Sequence, residues 1–441
     1  MKILMVLFEI QDYGGIINHA ECLALGLKRK GCEVDFNMLA SRQKVSVHVG
    51  GKVKNPEEFT VKGTGYPYHQ TKGWSRVPKI PYLSLSQKKQ FLERCYREYD
   101  AVLWHMPVPT RNKENKDIDE WLSLYDNGCK NIAIVHDGNL PDLYPHILAV
   151  KDKFWAMVCV HEAAYASAKN VPIPRKLIVN PFDFAEETKL AQGGELELPW
   201  EEEDFNQRDG FVAIQIFKAW KRVDSLIRAI PHMQNSESKI IGGSGIEYRY
   251  MTSKEKCKPK YFELDGTRIW NNALDSGMDY VGVQKGEQVF EHLYNAKLHI
   301  DPSWSIKYSN QGAHFNRTTI EAMFCGAVPM ATDLGMKNSA YFKAGQNFIE
   351  IPHKASAVEF ANIVDQALAD EKQWSAIRKN NIPLLRQFCC EEVASEYLNL
   401  IEDNQAETET GDLNDEILYK AENSLRFFGI NPHNHKLITW Y

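Results

Sequence analysis

One segment of the chain, from residue 314 to residue 333, places an acidic side chain, a glycine and an apolar run in an order that suits nucleotide binding. The order predicts a loop, a short helix carrying Glu321, a stop at Gly326 and a buried strand from Ala327 to Ala331. A carboxylate near the start of a helix can bind ribose hydroxyls, and backbone N–H groups of the preceding loop can bind a diphosphate. A βα unit of some other doubly wound protein remains the alternative, because the order helix–glycine–strand is common.

The elements that must position this segment alternate between strand and helix. An apolar strand over residues 2–8, the turn Gly14-Gly15, a helix over Ile16–Lys30 and a strand over Val34–Leu39 predict a βαβ unit and therefore a parallel sheet. A second βα series begins with a strand over Phe211–Phe217. Two successive doubly wound halves predict a ligand cleft between them, at the carboxyl ends of both sheets.

Length and composition bound the organisation. A chain of 441 residues is too long for one ordinary core. We expect a first domain over 1–185, an irregular acidic linker, a second domain over 208–395 and a helical extension over 396–441. No apolar run is long enough for a signal peptide or a membrane span, and the nine cysteines include no Cys-x-x-Cys pair. These features predict a cytoplasmic protein with reduced thiols and no zinc site.

The order of several motifs resembles one enzyme family. Gly14-Gly15 follows the first strand, Lys221 follows the strand that opens the second half, and Glu321 begins the run Glu-Ala-Met-Phe-Cys-Gly. This order resembles the retaining glycosyltransferases of the GT-B fold, family 4 in particular. The resemblance implies an α/β chain with two doubly wound Rossmann-like domains that face a central cleft. It also implies transfer of a sugar from a nucleotide-sugar to an acceptor hydroxyl, with retention of the anomeric configuration.

The resemblance assigns roles to individual residues. Lys221 would neutralise the departing diphosphate, His136 would border the donor sugar, and Glu321 would bind the ribose; these are the implied catalytic residues. The alternatives are a solvated lysine and a histidine that satisfies backbone groups at a strand end. The residues implied in donor binding are Gly14, Gly15, Lys218, Arg222, Gly243, Gly245, Val281, Gly282, His314, Phe315, Asn316, Arg317 and Thr318.

The sequence departs from the family pattern at the donor motif. Ala313 stands where the family has a first glutamate, and His314-Phe315-Asn316 replaces Gly-Phe-Gly. Ile216 stands where the family has an arginine, which Lys218 or Arg222 could replace. An unusual donor sugar and a non-catalytic sugar- or nucleic-acid-binding relative are both compatible with these changes. A phosphorylase-like or epimerase enzyme is a weaker alternative, because no context for a pyridoxal-phosphate lysine is visible.

Neither a metal nor another cofactor is predicted. No Asp-x-Asp motif follows a strand, and GT-B enzymes generally act without a metal. The implied mechanism has the acceptor hydroxyl attack on the face from which diphosphate leaves, with the leaving phosphate taking the proton. Paired carboxylates of the kind that hydrolases use are therefore not required.

The charge distribution bears on the acceptor. Residues 42–99 contain twelve Lys or Arg against four Glu, a net +8 in a chain of net −6, so the remainder carries −14. Such a segment, with interleaved aromatic residues, suits an anionic acceptor. The acceptor-binding residues we predict are Tyr66, Tyr68, Trp74, Arg76 and His105.

Two anionic acceptors fit this segment. One is a hydroxymethylated base in DNA, as in bacteriophage enzymes that glycosylate such bases. The other is a lipid or polysaccharide of the cell envelope, and a solvated basic loop without an acceptor role is the third possibility. The absence of an amphipathic basic helix favours DNA. The sequence leaves the donor base, the sugar and the oligomeric state open.

Overall fold

The structure is a computed structural model of the chain. It describes residues 1–8, 15–39, 47–49, 52–54, 82–83, 88–105, 123–136, 151–168, 171, 173–184, 200, 207–216, 221–234, 237–243, 266–282, 284, 287–303, 316–332, 339 and 341–402. The chain divides into two compact units. Unit 1 comprises Met1–Asp183 and the segment that begins at Gln387, and unit 2 comprises Phe184–Arg386.

Unit 1 is built on a seven-stranded sheet whose strand pairs are all parallel, in the order β5-β2-β1-β6-β7-β8-β9. A short antiparallel hairpin, β3-β4, lies within the basic segment. The strands are β1 (Lys2–Phe8), β2 (Glu33–Leu39), β3 (Val47–Val49), β4 (Lys52–Lys54), β5 (Tyr82–Leu83), β6 (Ala101–His105), β7 (Lys130–Val135), β8 (Ala156–Cys159) and β9 (Arg175–Leu177). The central strands are almost entirely buried, which explains their continuous apolar runs.

The helices of unit 1 that enter the argument are α1 (Gly15–Arg29), α2 (Lys88–Glu98), α3 (Glu162–Ser167) and α10 (Cys390–Glu402). Helix α1 lies directly against α10 at Gly26, where a Cβ atom would come within 2.0 Å of the carbonyl oxygen of Cys390. Arg29 at the end of α1 donates to Glu391 and to Asp183, each at 2.8 Å. Close packing at Gly26 and the ion pairs of Arg29 therefore hold α10 against α1.

Unit 2 is built on a six-stranded parallel sheet in the order β12-β11-β10-β13-β14-β15. Its strands are β10 (Asp209–Ile216), β11 (Ser238–Gly243), β12 (Met278–Gly282), β13 (Ala296–Asp301), β14 (Val328–Thr332) and β15 (Ile349–Ile351). Its helices are α4 (Val223–Ala229), α5 (Gly266–Asp275), α6 (Glu287–Asn295), α7 (Arg317–Phe324), α8 (Ala357–Ala369) and α9 (Glu371–Gln387). The sheet's inner face packs on α4 and α8 through buried aliphatic side chains.

Several boundaries differ from the sequence-based expectation. The expected second domain ran to residue 395 and the extension began at 396, whereas residues from Gln387 belong to unit 1. The physical reason is the close contact of α10 with α1, which no local pattern encodes. Helices α2, α5 and α9 were not predicted from the sequence.

Candidate functional site

A buried carboxylate lies at the carboxyl end of β13, the strand at the centre of unit 2. Asp301 is the last residue of that strand. Its Oδ1 accepts hydrogen bonds from Nε2 of Gln215 at 2.8 Å and from the backbone N–H of Ser303 at 3.0 Å. Its Oδ2 accepts from Nδ2 of Asn316 and from Oγ1 of Thr319, the latter at 3.3 Å. Donors from one strand, one helix and the segments next to β13 and α7 therefore converge on one carboxylate.

This carboxylate is ionised at neutral pH. Burial by itself would raise the pKa of Asp301, but the charge of Lys221 and the hydrogen bonds from Ser303 and Asn316 outweigh burial and hold the pKa below its usual value. The neighbouring ring of His299 acts in the same direction. A negative charge is thus fixed under the end of the sheet, where doubly wound folds bind their ligands.

Lys221 is joined to this carboxylate through the side chain of Asn316. Lys221 lies two residues before α4, and its Nζ donates to Oδ1 of Asn316. The Nδ2 of Asn316 also donates to Oγ of Ser303 at 3.1 Å, in addition to its bond to Asp301. We call Asp301, Asn316 and Lys221 the amide-linked network. Lysine, amide and carboxylate form a continuous hydrogen-bonded row.

Glu321 lies on α7, the helix that Asn316 precedes. Five residues separate Glu321 from Asn316, or about 7.5 Å along the helix axis. The Glu321 carboxylate accepts from Nε of Arg317 at 2.9 Å, an ion pair one helical turn apart whose side chains are 15% and 23% exposed. Lys221 therefore bonds the residue that precedes α7, and Glu321 lies on α7 itself.

Helix α7 ends where the sequence predicts. Gly326 has a φ of +81°. Its N–H donates to Met323, and that of Ala327 donates to Ala322, which satisfies the last carbonyls of the helix. A Cβ atom at Gly326 would lie 2.8 Å from the indole of Trp200, whose Nε1 donates to the carbonyl of Phe324. The predicted helix stop is confirmed.

The predicted donor glycines lie at the carboxyl ends of two neighbouring strands. Gly243 ends β11 and Gly282 ends β12, with Val281 half-buried beside it. Gly242 has a φ of +140°, and a Cβ atom there would lie 1.8 Å from the carbonyl oxygen of Gln215. The hydroxyl of Tyr280 donates to the Gly242 carbonyl at 2.8 Å. Close backbone packing thus explains why β11 has glycine at position 242, next to its last residue.

Arg222, one candidate for the missing family arginine, contacts its own helix. It is the residue before α4 and has a φ of +46°. Its Nε donates to Asp224 at 3.2 Å and its guanidinium also donates to Oγ of Ser225 at 2.6 Å. These two bonds direct the guanidinium along α4.

In unit 1, three histidines cluster at the carboxyl ends of β6 and β7 and on α1. Nδ1 of His105 lies 3.1 Å from Nε2 of His136, and the ring centroid of His19 lies 4.7 Å from that of His136. The two nitrogens of His19 lie 2.9 Å from Oδ1 of Asn180 and 3.3 Å from the hydroxyl of Tyr397. We call His19, His105 and His136 the histidine cluster.

His105 and His136 of the histidine cluster are uncharged at neutral pH. Burial, together with the neighbouring His19, holds the pKa of His105 well below its usual value. Burial, with His19, His105 and His161, does the same for the pKa of His136. His161 donates from Nε2 to the carbonyl of His136 and accepts at Nδ1 from the N–H of Ala164, so its tautomer is fixed as neutral.

The histidine cluster is the group of described residues whose atoms could hold a metal, since one nitrogen from each ring lies within 4.8 Å of the others. Two nitrogens bound to one zinc at about 2.1 Å lie at most about 4.2 Å apart. The nitrogens of His19 are already hydrogen-bonded, and His105 and His136 bond each other. Coordination would therefore require contraction and the loss of these bonds, and the geometry favours a hydrogen-bonded imidazole cluster.

The structure corrects one assignment and leaves others outside its range. His105 is fully buried and contacts His136, so it does not reach an acceptor directly; the last residue of a central strand lies under the sheet edge. Gly15 begins α1, and Thr318 is half-buried on the first turn of α7. The predicted site residues outside the described part of the chain are Gly14, Tyr66, Tyr68, Trp74, Arg76, Lys218, Gly245, His314 and Phe315.

The described helix of the basic segment, α2, has several of its cations paired. Arg94 donates to Glu98 at 3.1 Å and to Asp35 at 3.0 Å. Lys89 lies 4.0 Å from Glu93. The positive field inferred from the sequence is therefore partly balanced on this helix.

The sequence reasoning missed three members of the unit 2 site. Gln215, Thr319 and Asp301 all bond within it, and Asp301 was noted only as part of a Asp-Pro-Ser run. A polar residue inside an apolar strand was the available signal for Gln215, and a charge that ends an apolar strand was the signal for Asp301. Neither signal names a bonding partner.

Comparison with known proteins gives a result at the level of structure. No protein-family model matches the chain, and no curated protein matches it in sequence. Anabaena Alr3699/HepE in complex with UDP superposes with a TM-score of 0.61 at 14% identity, covering 90% of this chain and 99% of that one. An alpha-glucosyltransferase in complex with UDP and a 13-mer DNA containing an HMU base gives 0.62 at 12%, covering 91% and 100%.

A third solved structure, S. aureus TarM in complex with Fondaparinux, alpha-GlcNAc-glycerol and UDP, gives a TM-score of 0.60 at 11% identity, covering 91% of this chain and 100% of that one. The fold is GT-B. The GT-B fold expected from the motif order is thereby confirmed. None of the helices in the described part of the chain has the length and apolar character that crossing a membrane requires.

Proposed function

We propose that this chain is a glycosyltransferase that moves a sugar from a UDP-linked donor to an acceptor hydroxyl with retention of the anomeric configuration. The observation that carries the proposal is the position of Lys221 beside α7 of unit 2, the helix that carries Glu321: Lys221 bonds Asn316, the residue before α7, and Asn316 bonds Asp301 at the carboxyl end of β13. That edge of a doubly wound sheet is where nucleotides bind in this architecture. The GT-B neighbours whose structures contain UDP support UDP as the nucleotide.

Each group has a role in this reaction. The Glu321 carboxylate accepts hydrogen bonds from the ribose hydroxyls, and the first N–H groups of α7 face the diphosphate. The Lys221 ammonium stabilises the charge that accumulates on the diphosphate as the sugar–oxygen bond breaks. The neutral imidazole of His136 contacts the sugar without adding a charge to it.

We further propose that the acceptor is a hydroxymethylated base in DNA. Two observations support this acceptor: the net +8 of residues 42–99 with its interleaved aromatic side chains, and the neighbour whose structure contains DNA with an HMU base. A cell-envelope lipid or polysaccharide is the alternative acceptor. Incubation of the chain and a UDP-sugar with a duplex that has hydroxymethylated bases, and with one that lacks them, distinguishes the two acceptors. If a hydroxymethylated base is the acceptor, only the first duplex gains mass from the donor.

The test of the donor assignment is Glu321→Ala. We expect the variant to fold normally and to lose most of its affinity for UDP, since a hydrogen bond to a charged acceptor contributes about 1.5–3 kcal/mol. Isothermal titration with UDP and mass spectrometry of donor hydrolysis or transfer measure this. Glu291→Ala, an exposed glutamate on α6, is the matched control. Unchanged UDP binding in Glu321→Ala, or no UDP binding by the unmodified protein, would refute the proposal.

The acceptor test uses salt. Binding led by phosphates weakens steeply as salt concentration rises, with a slope set by the number of phosphates contacted. We expect the chain to retain duplex DNA at low salt and to release it as salt increases. A chain that does not bind hydroxymethylated DNA at low salt would remove the DNA acceptor and leave the envelope acceptor.

A further inference from the structure

The position of Asn316 is unusual for the first residue before a helix. Its backbone is extended, with φ −63° and ψ 146°, and its carbonyl accepts from the N–H of Thr319, as at an ordinary helix start. Asparagine at such a position usually caps the helix with its side chain. Here the side chain makes no capping bond and bonds Asp301, Ser303 and Lys221 instead. The side chain therefore serves a contact other than helix capping.

The two ends of the Asn316 amide are matched to two different partners. The ionised carboxylate of Asp301 can only accept hydrogen bonds, so it must face the NH₂ group. The ammonium of Lys221 can only donate, so it must face the carbonyl oxygen. The amide orientation is thus fixed by its surroundings, and neither glycine nor aspartate could make both bonds.

The Asp301 carboxylate, which bonds the Asn316 amide, is itself fixed by further hydrogen bonds. Gln215, the N–H of Ser303 and Thr319 fill the other acceptor positions of Asp301. Asp301 is 5% exposed and His299, beneath it on the same strand, is fully buried. The row therefore runs from the end of β13, through Asn316, to the ammonium of Lys221.

We infer that Asn316 is a positioning residue that fixes the Lys221 ammonium for the departing diphosphate. The inference rests on the proposed function, since it needs Lys221 to act on that diphosphate. A lysine side chain loses conformational entropy when it is fixed. The Asn316 oxygen accepts from the Lys221 ammonium and so fixes its position before the diphosphate departs. Asn316 stands where the family has the second glycine of Gly-Phe-Gly, and the positioning role would explain this departure.

The test is a double-mutant cycle with Asn316→Leu and Lys221→Met. In the presence of Lys221, Asn316→Leu should lower kcat about tenfold and raise the UDP Kd several-fold, with a smaller change in the donor KM, because the charge on the diphosphate develops during departure. In the Lys221→Met background, Asn316→Leu should cause no further loss. A merely structural role would give equal losses in both backgrounds, and that result would overturn the inference.

Asn316→Asp adds a pH readout. The new carboxylate repels both Asp301 and the diphosphate, so the variant should be impaired at about pH 8 and recover as pH falls and the carboxylate is protonated. A pH profile parallel to that of the unmodified protein would contradict the inference. Asn347→Leu is the control for loss of a buried amide, because Asn347 bonds Asn381 at 3.1 Å, outside the network. We expect that variant to lose stability and keep its kcat.

The two proposals fail in different ways. If the chain binds UDP but does not turn over, the cycle measured on UDP Kd still tests whether Asn316 acts through Lys221. If Lys221→Met changes neither kcat nor UDP Kd while Glu321→Ala abolishes UDP binding, the positioning role is wrong and the donor assignment stands. If the chain does not bind UDP, both are wrong.

Discussion

The histidine cluster of unit 1 and the amide-linked network of unit 2 bury polar side chains in different ways. In the histidine cluster of unit 1, burial lowers the pKa values of His105 and His136, and these two rings bond each other as neutral groups. The amide-linked network of unit 2 keeps its charges and separates a carboxylate from an ammonium by one amide. Burial raises the cost of both arrangements, and the hydrogen bonds within each group offset part of that cost.

The difference matches the chemistry proposed for each unit. A diphosphate carries charge that grows during the reaction, and a fixed cation stabilises it. A sugar and an acceptor hydroxyl are neutral, and a charged group beside them would require its own compensation. The comparison therefore predicts that substitutions in unit 2 change the binding of the charged ligand, whereas substitutions in unit 1 change turnover alone.

The largest effect should come from Lys221→Met. Loss of one group that stabilises developing charge lowers kcat about 10²- to 10³-fold. Steady-state kinetics with a UDP-sugar donor measure this, and Lys297→Met is the matched control, because Lys297 stacks on Trp374 of the same unit at 5.7 Å. Equal kinetics in the two variants would remove the charged role assigned to unit 2.

His136→Ala should have the next largest effect and should separate the units. We expect kcat to fall about tenfold to a hundredfold through loss of sugar positioning. The UDP Kd should stay within about twofold, since a neutral imidazole contributes no charge to diphosphate binding. His292→Ala, a half-buried histidine on α6, is the control. A large rise in UDP Kd for His136→Ala would break the division between the units.

Acidification should destabilise both units, because each holds a buried histidine whose pKa is lowered to about 4, His161 in unit 1 and His299 in unit 2. Burial lowers the pKa of His161 from its usual 6.5 to about 4, so below about pH 6.5 the unfolded chain binds a proton that the folded chain does not. Stability is complete above that pH and falls by up to about 1.4 kcal/mol per pH unit toward pH 4. The depressed pKa of Asp301 removes stability only at lower pH, as pH falls below that group's unfolded value of 3.8.

Guanidinium unfolding at a series of pH values measures this linkage. His161→Asn should be less stable at pH 7, because two hydrogen bonds are lost, but its stability should fall less steeply on acidification. The exposed His232 provides the control substitution, His232→Asn. An unchanged pH slope in His161→Asn would show that the ring does not remain neutral in the folded chain.

The smallest effect should come from Arg317→Met, which breaks the Arg317–Glu321 ion pair on α7. Pairs of this spacing stabilise a helix by about 0.3–0.5 kcal/mol, and burial of these side chains is incomplete. Thermal unfolding at low and high salt measures the change, which should shrink as salt increases. A loss above about 2 kcal/mol would mean that the pair belongs to the buried charged network.

Much of the fold could be predicted from local pattern. Continuous apolar runs gave β1 and the strand after Gly326, because a strand buried on both faces must be apolar along its length. Helix α9 was not predicted because its sequence is polar and contains Pro383, a residue that usually ends a helix. Helix α2 was read for its charge alone, although Phe91 and Cys95 are buried one turn apart on it.

The sequence by itself determined the order of strands and helices, the stop at Gly326 and the residue types that could do chemistry, since periodicity, glycine and charge are local properties. Only the tertiary structure decided which of those residues meet. Asp301 and Asn316 are 15 residues apart and Lys221 lies 95 residues from Asn316, so their row exists only where β10, β13 and α7 come together. Likewise His19 reaches Tyr397 across 378 residues because α10 packs on α1, a contact set by shape and burial that no local pattern records.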